Sequence, residues 1–359
     1  MEEYCRALLT EFKLRRSELK EPITTIYIGG GTPTTIPSEL LTQLITSLKY
    51  EVIEFNSQYS SNNTAIIREF TIEANPEDIS AEAIIQLKKA GVNRISIGIQ
   101  SFDNCQLSSI MRQHGPSASL KSLSILNSSG INYSADLIYG LPEQTVESWE
   151  IQLTTLLDFN PPHFSAYLLS YEPGTLLYAR KENGKVTEAD EDTANKMYEI
   201  LIKTAAAHGY NHYEISNFAQ PGYEAQHNSS YWNLTPYIGL GCSAHSFDGD
   251  TRRVNPTNIH KYLEHLLNVT PSSYTNEEEE TIINKVNDYI ITSLRTIDGI
   301  SPSLIEKRWG SHIRALVIDN IQKIYREGKL EKRNENYRIP EHFWLTSNAI
   351  LRDLILDAD

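Results

Sequence analysis

The stretch that decides the fold is Thr24-Thr25-Ile26-Tyr27-Ile28-Gly29-Gly30-Gly31-Thr32-Pro33. Its β-branched and aromatic first half predicts a buried strand, and the glycines predict a loop at the carboxyl end of that strand. Because glycine has no side chain, consecutive glycines let a ligand lie directly against backbone N–H and C=O groups. A tight turn without a ligand is the plainer interpretation, but three glycines are more than a turn needs. We therefore expect a binding loop here.

The same strand-then-helix plan recurs along the first half of the chain. Further strands are predicted at 69–73, 94–100, 131–138 and 163–169, with helices between them. Such repeats are typical of a parallel sheet with helical crossovers, either open or closed into a barrel. Polar residues stand at or just past the strand ends, namely Thr32, Glu73, Gln100 and Asp136. Each alone fits a capped turn, but together they favour a barrel, whose strand ends converge on one mouth.

The composition is that of an acidic globular protein. Among 359 residues, 46 are acidic and 32 are basic, which gives a net charge of −14 without any basic block. We therefore expect no extended contact with nucleic acid. Cys5, Cys105 and Cys242 lie far apart, which excludes a disulfide framework or a Cys-x-x-Cys knuckle and fits a reducing cytoplasm. No apolar run is long enough to span a bilayer.

Changes in sequence pattern predict three domains. Residues 1–209 form the barrel, 210–270 an aromatic-rich connecting region over the barrel mouth, and 271–359 a helical domain. The helical domain combines predicted helices with a short β-wing, an arrangement similar to a winged helix; the helices lie at 277–295, 301–308, 311–327 and 346–356. DNA binding and a packing cap are the two interpretations of this domain, and the acidic chain favours the cap.

Several catalytic motifs are absent from the sequence. No Gly-Lys-Ser/Thr follows the glycine loop, and Thr34 stands where a dinucleotide fingerprint needs glycine. There is no Gly-x-Ser-x-Gly and no His-Glu-x-x-His. The sequence therefore gives no support for a phosphate-binding loop or for a hydrolase.

Seven motifs follow one another along essentially the whole chain. They are Gly-Gly-Gly-Thr-Pro at 29–33, Glu-Ala-Asn-Pro at 73–76, Asn-Arg-Ile-Ser-Ile-Gly-Ile-Gln-Ser-Phe at 93–102, Asp-Leu-Ile-Tyr-Gly-Leu-Pro at 136–142, Tyr-Glu-Ile-Ser-Asn-Phe-Ala at 213–219, His-Asn-Ser-Ser-Tyr-Trp at 227–232 and Gly-Leu-Gly-Cys-Ser-Ala-His-Ser at 239–246. Together they resemble the oxygen-independent coproporphyrinogen III oxidase-like branch of the radical SAM superfamily, and within it the haem chaperones most closely. The resemblance implies an α/β fold, a partial (β/α)6 barrel that binds S-adenosylmethionine at its C-terminal mouth, plus a C-terminal helical domain.

The resemblance also implies which residues contact the cofactor. Gly30, Gly31 and Thr32 would hold the amino-acid end of S-adenosylmethionine, because a bare backbone edge can accept from an ammonium group and donate to a carboxylate. Arg112 would grip a carboxylate with two hydrogen bonds. The full set is Gly30, Gly31, Thr32, Glu73, Gln100, Arg112, Asp136, Leu168 and His245, with Leu168 and His245 as weaker contacts to the adenine.

A second implied site is the motif at 227–232, which separates the haem chaperones from the oxidases of this branch. His227 is the candidate axial ligand of haem iron, because imidazole commonly ligates haem. Aromatic residues offer a porphyrin a flat apolar surface, and the expected haem-binding set is His227, Asn228, Tyr231 and Trp232. A histidine beside aromatic residues is also common in purely structural roles. His245 and the Cys242 thiolate are weaker candidates.

One motif that defines the superfamily is missing. Its members carry a Cys-x-x-x-Cys-x-x-Cys loop after the first barrel strand, and these thiolates bind a [4Fe–4S] cluster. The cysteines of this chain do not have that spacing. Two explanations are open: an N-terminally truncated product that lacks the first strand and the loop, or a natural relative without the cluster. Truncation is favoured because the cofactor-pocket residues are present. As given, the chain is expected to perform no radical chemistry.

The resemblance implies a haem chaperone-like radical SAM protein that binds haem and S-adenosylmethionine and delivers haem to respiratory haem proteins. The alternative is an oxygen-independent coproporphyrinogen III oxidase of porphyrin biosynthesis, which forms protoporphyrinogen IX. A third hypothesis is a binding relative without a redox role. The expected partners are haem and haem-accepting respiratory proteins, with no nucleic acid and no transmembrane segment. Peripheral membrane contact and the oligomeric state are left open.

Overall fold

The computed structural model describes residues 1–59, 66–268 and 276–357. The chain divides into two compact units. The barrel unit comprises Ile26–Leu41 and Glu69–Ala225, and the helical unit comprises Met1–Thr25, Thr42–Arg68 and Gln226–Asp359. No helix among the described residues is long and apolar enough to cross a bilayer.

The barrel unit is built on a curled half-barrel sheet of seven strands among the described residues. The strands are β1 Thr25–Ile28, β2 Glu69–Ala74, β3 Arg94–Gln100, β4 Asn132–Tyr139, β5 His163–Leu168, β6 Asn211–Glu214 and β7 Asn217–Ala219, in the order β1-β2-β3-β4-β5-β7-β6. β2 to β5 pair in parallel, whereas β7 pairs antiparallel with both β5 and β6. The α/β class and the partial barrel are therefore confirmed.

Helices connect the parallel strands and cover the outer face of the sheet. After α1 Glu2–Arg15 and α2 Ser38–Ser57 come α3 Ala81–Ala90, α4 Asn104–Ser109, α5 Pro116–Ser129, α6 Val146–Leu157, α7 Leu176–Glu182 and α8 Glu191–Ala207. Alternation along β3 sends Ile95, Ile97 and Ile99 outward, where all three are fully buried. The residues between them are polar or glycine, so the inner face of the sheet is polar. This pattern leaves the inner face available for a site.

Local signals place the ends of the barrel helices. The Ser80 side chain accepts from the Ala83 N–H at the start of α3, and Gly91 ends that helix with φ +116°. At α6, Thr145 and Ser148 form a reciprocal capping box. Such caps fix where each helix begins and therefore where the preceding strand-end loop stops.

The helical unit contains α1, most of α2 and the remaining elements. These remaining elements are α9 Gln226–Trp232, β8 His245–Phe247, β9 Thr251–Val254, α10 Ile259–Asn268, β10 Asn276–Glu279, α11 Ile282–Ser293, α12 Pro302–Arg326, β11 Glu331–Arg333, β12 Asn336–Arg338 and α13 Ser347–Arg352. β8, β9 and β10 form one small antiparallel sheet, and β11 with β12 forms a hairpin. Helices followed by this hairpin bear out the expected β-wing.

One local prediction was wrong. Residues 277–279 were expected to begin a helix but lie in β10, which pairs antiparallel with β9. The pairing with β9 supplies the backbone hydrogen bonds that a first helical turn would otherwise make. The aromatic-rich region predicted at 210–270 contains the short strands β6 and β7, which continue the main sheet, and the helix α9. The predicted break between the helices at 301–308 and 311–327 is present, since Gly310 has φ +88° inside α12.

Candidate functional site

In the loop after β1, the presence of glycine has a different physical explanation at each of the three positions. A Cβ at Gly29 would lie 2.5 Å from Glu73 Oε1, so Gly29 is needed for packing inside the protein. Gly30 has φ +83°, a left-handed backbone that favours glycine. A Cβ at Gly31 would meet nothing within 4 Å, and its backbone is not left-handed. No contact among the described residues accounts for Gly31, which is the pattern expected of a surface left bare for a ligand.

Glu73, at the end of β2, ties this loop to the sheet. Its Oε2 accepts from the Gly30 N–H at 3.1 Å, and its Oε1 accepts from the Tyr27 hydroxyl at 2.8 Å. Burial, reinforced by the nearby Glu73 carboxylate, raises the pKa of Tyr27, so that the phenol remains a donor. A carboxylate has about four acceptor positions. Glu73 therefore holds the loop in place and keeps further acceptor capacity for a ligand.

Gln100 ends β3 in a strained conformation. It has φ +64°, and the register with β4 shifts between Gly98 and Gln100. A Cβ at Gly98 would lie 2.7 Å from Gln100 Nε2, so the missing side chain makes room for the Gln100 amide. Gly98 is the register partner of Asp136. The bulge thus turns the Gln100 side chain back over the inner face beside Asp136, and such bulges are common near functional sites.

Asp136 lies on the inner face of β4 and accepts from two serines. Ser96 Oγ lies 3.2 Å from its Oδ2, and Ser134 Oγ lies 3.3 Å from its Oδ1. Burial raises the pKa of the carboxyl, while the serine hydrogen bonds and the nearby Arg94 act in the opposite direction. The nearby Glu73 carboxylate adds to this increase in the pKa of Asp136.

A buried chain of hydrogen bonds continues from Asp136 into the sheet. Ser134 Oγ lies 2.7 Å from His163 Nδ1, and His163 Nε2 lies 2.8 Å from the Tyr213 hydroxyl. The Ala225 N–H donates to the Tyr213 oxygen. The Tyr213 proton then points at Nε2, since in the opposite arrangement a buried hydroxyl proton would find no acceptor among these groups. His163 consequently donates from Nδ1 to Ser134, and Ser134 donates to Asp136.

These supporting residues were not predicted, although the sequence contains a pattern that indicates them. Polar residues recur with period two along buried strands, as in Arg94-x-Ser96-x-Gly98-x-Gln100 and Ser134-x-Asp136. A soluble barrel with an apolar core would place branched aliphatic side chains there. Period-two polarity inside otherwise apolar strands is therefore evidence for a polar lumen.

Within the described part of the chain, the other residues expected to bind the cofactor make no hydrogen bond to Glu73, Gln100 or Asp136. Thr32 Oγ1 accepts from Asn75 Nδ2 at 3.3 Å, which fixes the exit of the glycine loop. Leu168 ends β5 with its Cδ1 2.8 Å from where a Cβ on Gly140 would stand. Arg112 is half-buried in the turn after α4, and its guanidinium makes no hydrogen bond or ion pair with the described residues. His245 is exposed at the start of β8 in the helical unit.

In the helical unit, α9 carries the second candidate site. His227 is half-buried, with Nδ1 2.9 Å from Thr25 Oγ1 and Nε2 2.9 Å from the Tyr231 hydroxyl. The His227 and Tyr231 rings meet edge to face at 5.1 Å, and Tyr231 meets Tyr237 in the same way at 4.8 Å. Asn228 and Trp232 are half-buried on the same short helix. His227, Tyr231 and Tyr237 therefore form one aromatic cluster, and Thr25 was not foreseen as part of it.

A buried carboxylate anchors the loop at 239–246. Glu11 on α1 is fully buried and accepts from Arg15, Asn255, Tyr262 and the Gly241 N–H. A buried charge is stable only when it is paired and its lone pairs are satisfied. Glu11 meets both conditions, which makes it the structural centre of this loop rather than a free acid.

The cysteines do not fit a [4Fe–4S] cluster. Cys5 is buried on α1, Cys105 is exposed on α4, and Cys242 is partly exposed in the loop before β8. Within the described ranges, no group of three or more His, Cys, Asp or Glu side chains could hold a metal ion. The chain as given supplies no set of thiolates for the cluster, so no chemistry is derived through it.

Comparison with known proteins gives a consistent family. The model of the radical SAM superfamily matches residues 7–153. The heme chaperone HemW of Bacillus subtilis is 34% identical over 98% of this chain and 90% of its own length. The heme chaperone HemW of Lactococcus lactis is 31% identical over 99% of this chain and 89% of its own length. The HemW of Escherichia coli is 36% identical over 62% of this chain and 56% of its own length.

Among solved structures, the chain is similar to the radical SAM enzyme coproporphyrinogen III oxidase HemN from Escherichia coli. The TM-score is 0.78, and the match covers 98% of this chain and 82% of the other at 20% sequence identity. At that identity the likeness establishes the fold alone.

Proposed function

Because this chain belongs to the HemW family of haem chaperones within the radical SAM superfamily, we propose that it binds haem at α9 and passes it to haem-requiring proteins. The single observation that carries the proposal is the cluster of His227, Tyr231 and Tyr237 around a half-buried imidazole. Imidazole ligates haem iron, and aromatic rings pack on the porphyrin face. Asn228 and Trp232 complete the proposed haem-binding set.

The glycine loop is proposed to hold the amino-acid end of S-adenosylmethionine. The open face over Gly31 supports backbone contact with the ligand, and the free guanidinium of Arg112 supports pairing with its carboxylate. Glu73, Gln100 and Asp136 supply acceptors and an amide from neighbouring strand ends. When bound, S-adenosylmethionine supplies a sulfonium-activated adenosyl group. Thr32 and Leu168 are proposed as supporting contacts, as the family resemblance implies, whereas His245 remains a prediction from the resemblance.

The haem proposal is tested by titrating the protein with haemin and following the Soret band. We expect saturable binding with the spectrum of a histidine-ligated haem. His227→Ala should lose that spectrum and weaken binding, whereas the matched control His260→Ala, an exposed histidine on α10, should behave like the parent. An unchanged spectrum in His227→Ala would show that another residue ligates the iron.

The recipient is proposed to be a haem protein of respiration, and the site of action the cytoplasm. The relatives are named as chaperones of heme, which supports delivery rather than consumption of the haem. The alternative activity, decarboxylation of coproporphyrinogen III, receives support from the fold likeness only.

A further inference from the structure

His227 has neighbours at both ring nitrogens. Thr25 Oγ1 is 2.9 Å from Nδ1, and the Tyr231 hydroxyl is 2.9 Å from Nε2. A metal ion can bind only a nitrogen whose lone pair is free, and in a neutral imidazole only one nitrogen carries a lone pair in the ring plane. The two neighbours therefore decide which nitrogen is available to iron and when.

The proton positions follow from the donor and acceptor strengths of the three groups. A phenol is a stronger donor than an alcohol, and an imidazole nitrogen is a better acceptor than a phenol oxygen, whose lone pair is delocalised into the ring. A tyrosine hydroxyl carries its proton at neutral pH and can therefore donate it. Tyr231 thus donates to Nε2, and the ring proton lies on Nδ1, from where it is donated to Thr25 Oγ1.

We propose that Thr25 and Tyr231 prepare His227 for iron: Thr25 holds the Nδ1–H tautomer, and the Tyr231 hydroxyl caps Nε2 until haem displaces it. The inference rests on the proposed haem site; it adds Thr25 to that site and gives Tyr231 a specific role in it. Thr25 is a positioning residue, in the manner of the outer partners that fix the ring of a metal-bound histidine. Tyr231 is a removable cap that competes with the iron.

The geometry allows the cap to open. The Tyr231 side chain is 42% exposed and lies near the end of the seven-residue helix α9. Rotation toward solvent breaks the hydrogen bond to His227 and the edge contact with the Tyr237 ring. Both contacts are small in free energy, so haem coordination can replace them. In the absence of haem, the cap competes with any other metal ion for Nε2.

The cap is tested by haemin titration of Tyr231→Phe, with Tyr50→Phe, at an exposed tyrosine of α2, as the matched aromatic control. Removing the hydroxyl removes a competitor for Nε2 but keeps the ring, so we expect Tyr231→Phe to bind haemin about two- to tenfold more tightly than the parent. Tyr50→Phe should bind like the parent. Equal or weaker binding by Tyr231→Phe would overturn the cap.

The positioning role is tested with Thr25→Val and Thr25→Ser. The Fe–His stretching frequency of the ferrous haem complex, measured by resonance Raman spectroscopy, depends on the hydrogen bond donated by Nδ1–H. Thr25→Val should lower this frequency and Thr25→Ser should restore it, a pattern that loss of folding alone would not produce. An unchanged frequency in Thr25→Val would overturn this role. Failure of the parent to bind haemin, or of His227→Ala to lose the spectrum, would instead refute the proposed haem site.

Discussion

At the residue scale, a substitution at Gly31 distinguishes a ligand-binding role of the glycine loop from a structural role more clearly than a substitution at Gly29 or Gly30. Substituting Gly29 would clash with Glu73, and substituting Gly30 would strain a left-handed backbone, so either change confounds folding with binding. A side chain at Gly31 has open space and an ordinary backbone. The three glycines are indistinguishable in the sequence, and only the structure identifies the informative position.

We predict that Gly31→Val folds normally but fails to bind S-adenosylmethionine. The valine side chain would occupy the space over the bare backbone, so calorimetric binding should weaken at least about tenfold, while the melting temperature stays close to that of the parent. Gly31→Ala, with one methyl group, should weaken binding less. If Gly31→Val binds as well as the parent, the glycine loop is not the site.

His163 should make stability depend on pH. Burial, reinforced by Arg94, holds its pKa well below the ordinary value, so the folded protein keeps the imidazole neutral. In the unfolded chain it titrates near about 6.5. The unfolded state therefore binds more protons as the pH falls below that value, and stability declines by up to about 1.4 kcal/mol per pH unit.

The measurement is chemical denaturation of the parent and His163→Gln at several pH values. We expect a shallower loss of stability for His163→Gln between about pH 6.5 and pH 5.5. Asp136, whose raised pKa gives an effect of opposite sign at lower pH, is common to both proteins and does not alter the comparison. Parallel curves for the two proteins would contradict a buried neutral His163.

At the element scale, Glu11 is the buried centre of the attachment of α1 to the loop at 239–246, to which Arg15 and Tyr4 also bond. Glu11 links α1 to Gly241, Asn255 and Tyr262 through buried hydrogen bonds. We predict that Glu11→Ala lowers the free energy of unfolding by about 3–5 kcal/mol, because it leaves Arg15 and these donors without their buried partner. Urea denaturation measures this loss.

A matched control is Glu54→Ala, which removes a largely exposed ion pair with Arg16 on the neighbouring helix. Exposed pairs contribute at most about 1 kcal/mol, so this variant should unfold close to the parent. Similar losses in the two variants would mean that Glu11 has no special structural role.

The elements themselves were predictable where their patterns were strong. The parallel strands carry β-branched runs, and Gly91 and Gly310 mark helix ends and breaks by their backbone conformation. The pattern did not show that β6 and β7 join the main sheet, because aromatic and polar residues obscure the alternation of such short strands. It failed at β10 because a glutamate run has no apolar face from which to judge a period.

The candidate site was only partly predictable from the sequence. Strand-end residues such as Glu73 and Asp136 stand out, since the fold sends strand ends to one mouth. Thr25, His163 and Tyr213 do not stand out, because their roles depend on contacts between residues far apart in the sequence.

The domain boundaries at 209 and 270 remain predictions.

At the scale of the whole molecule, a carrier of haem differs from an enzyme of porphyrin synthesis in that it leaves the porphyrin unchanged. The chain as given offers no thiolate set for a [4Fe–4S] cluster. We therefore predict no formation of protoporphyrinogen IX when the protein is incubated anaerobically with coproporphyrinogen III, S-adenosylmethionine and a reductant. Chromatography of the oxidised porphyrins measures the product, and a product above the level of the reagents alone would support the enzymatic alternative.

We propose that the protein holds haem at His227 and delivers it by direct transfer. The most direct test loads the protein with haemin, adds increasing concentrations of an apo-form respiratory haem protein, and follows the haem spectrum by stopped flow. Direct delivery predicts a transfer rate that rises with the concentration of the acceptor, and a loss of the histidine-ligated starting spectrum in His227→Ala. A rate that is independent of acceptor concentration, equal to spontaneous haem release, would contradict the account.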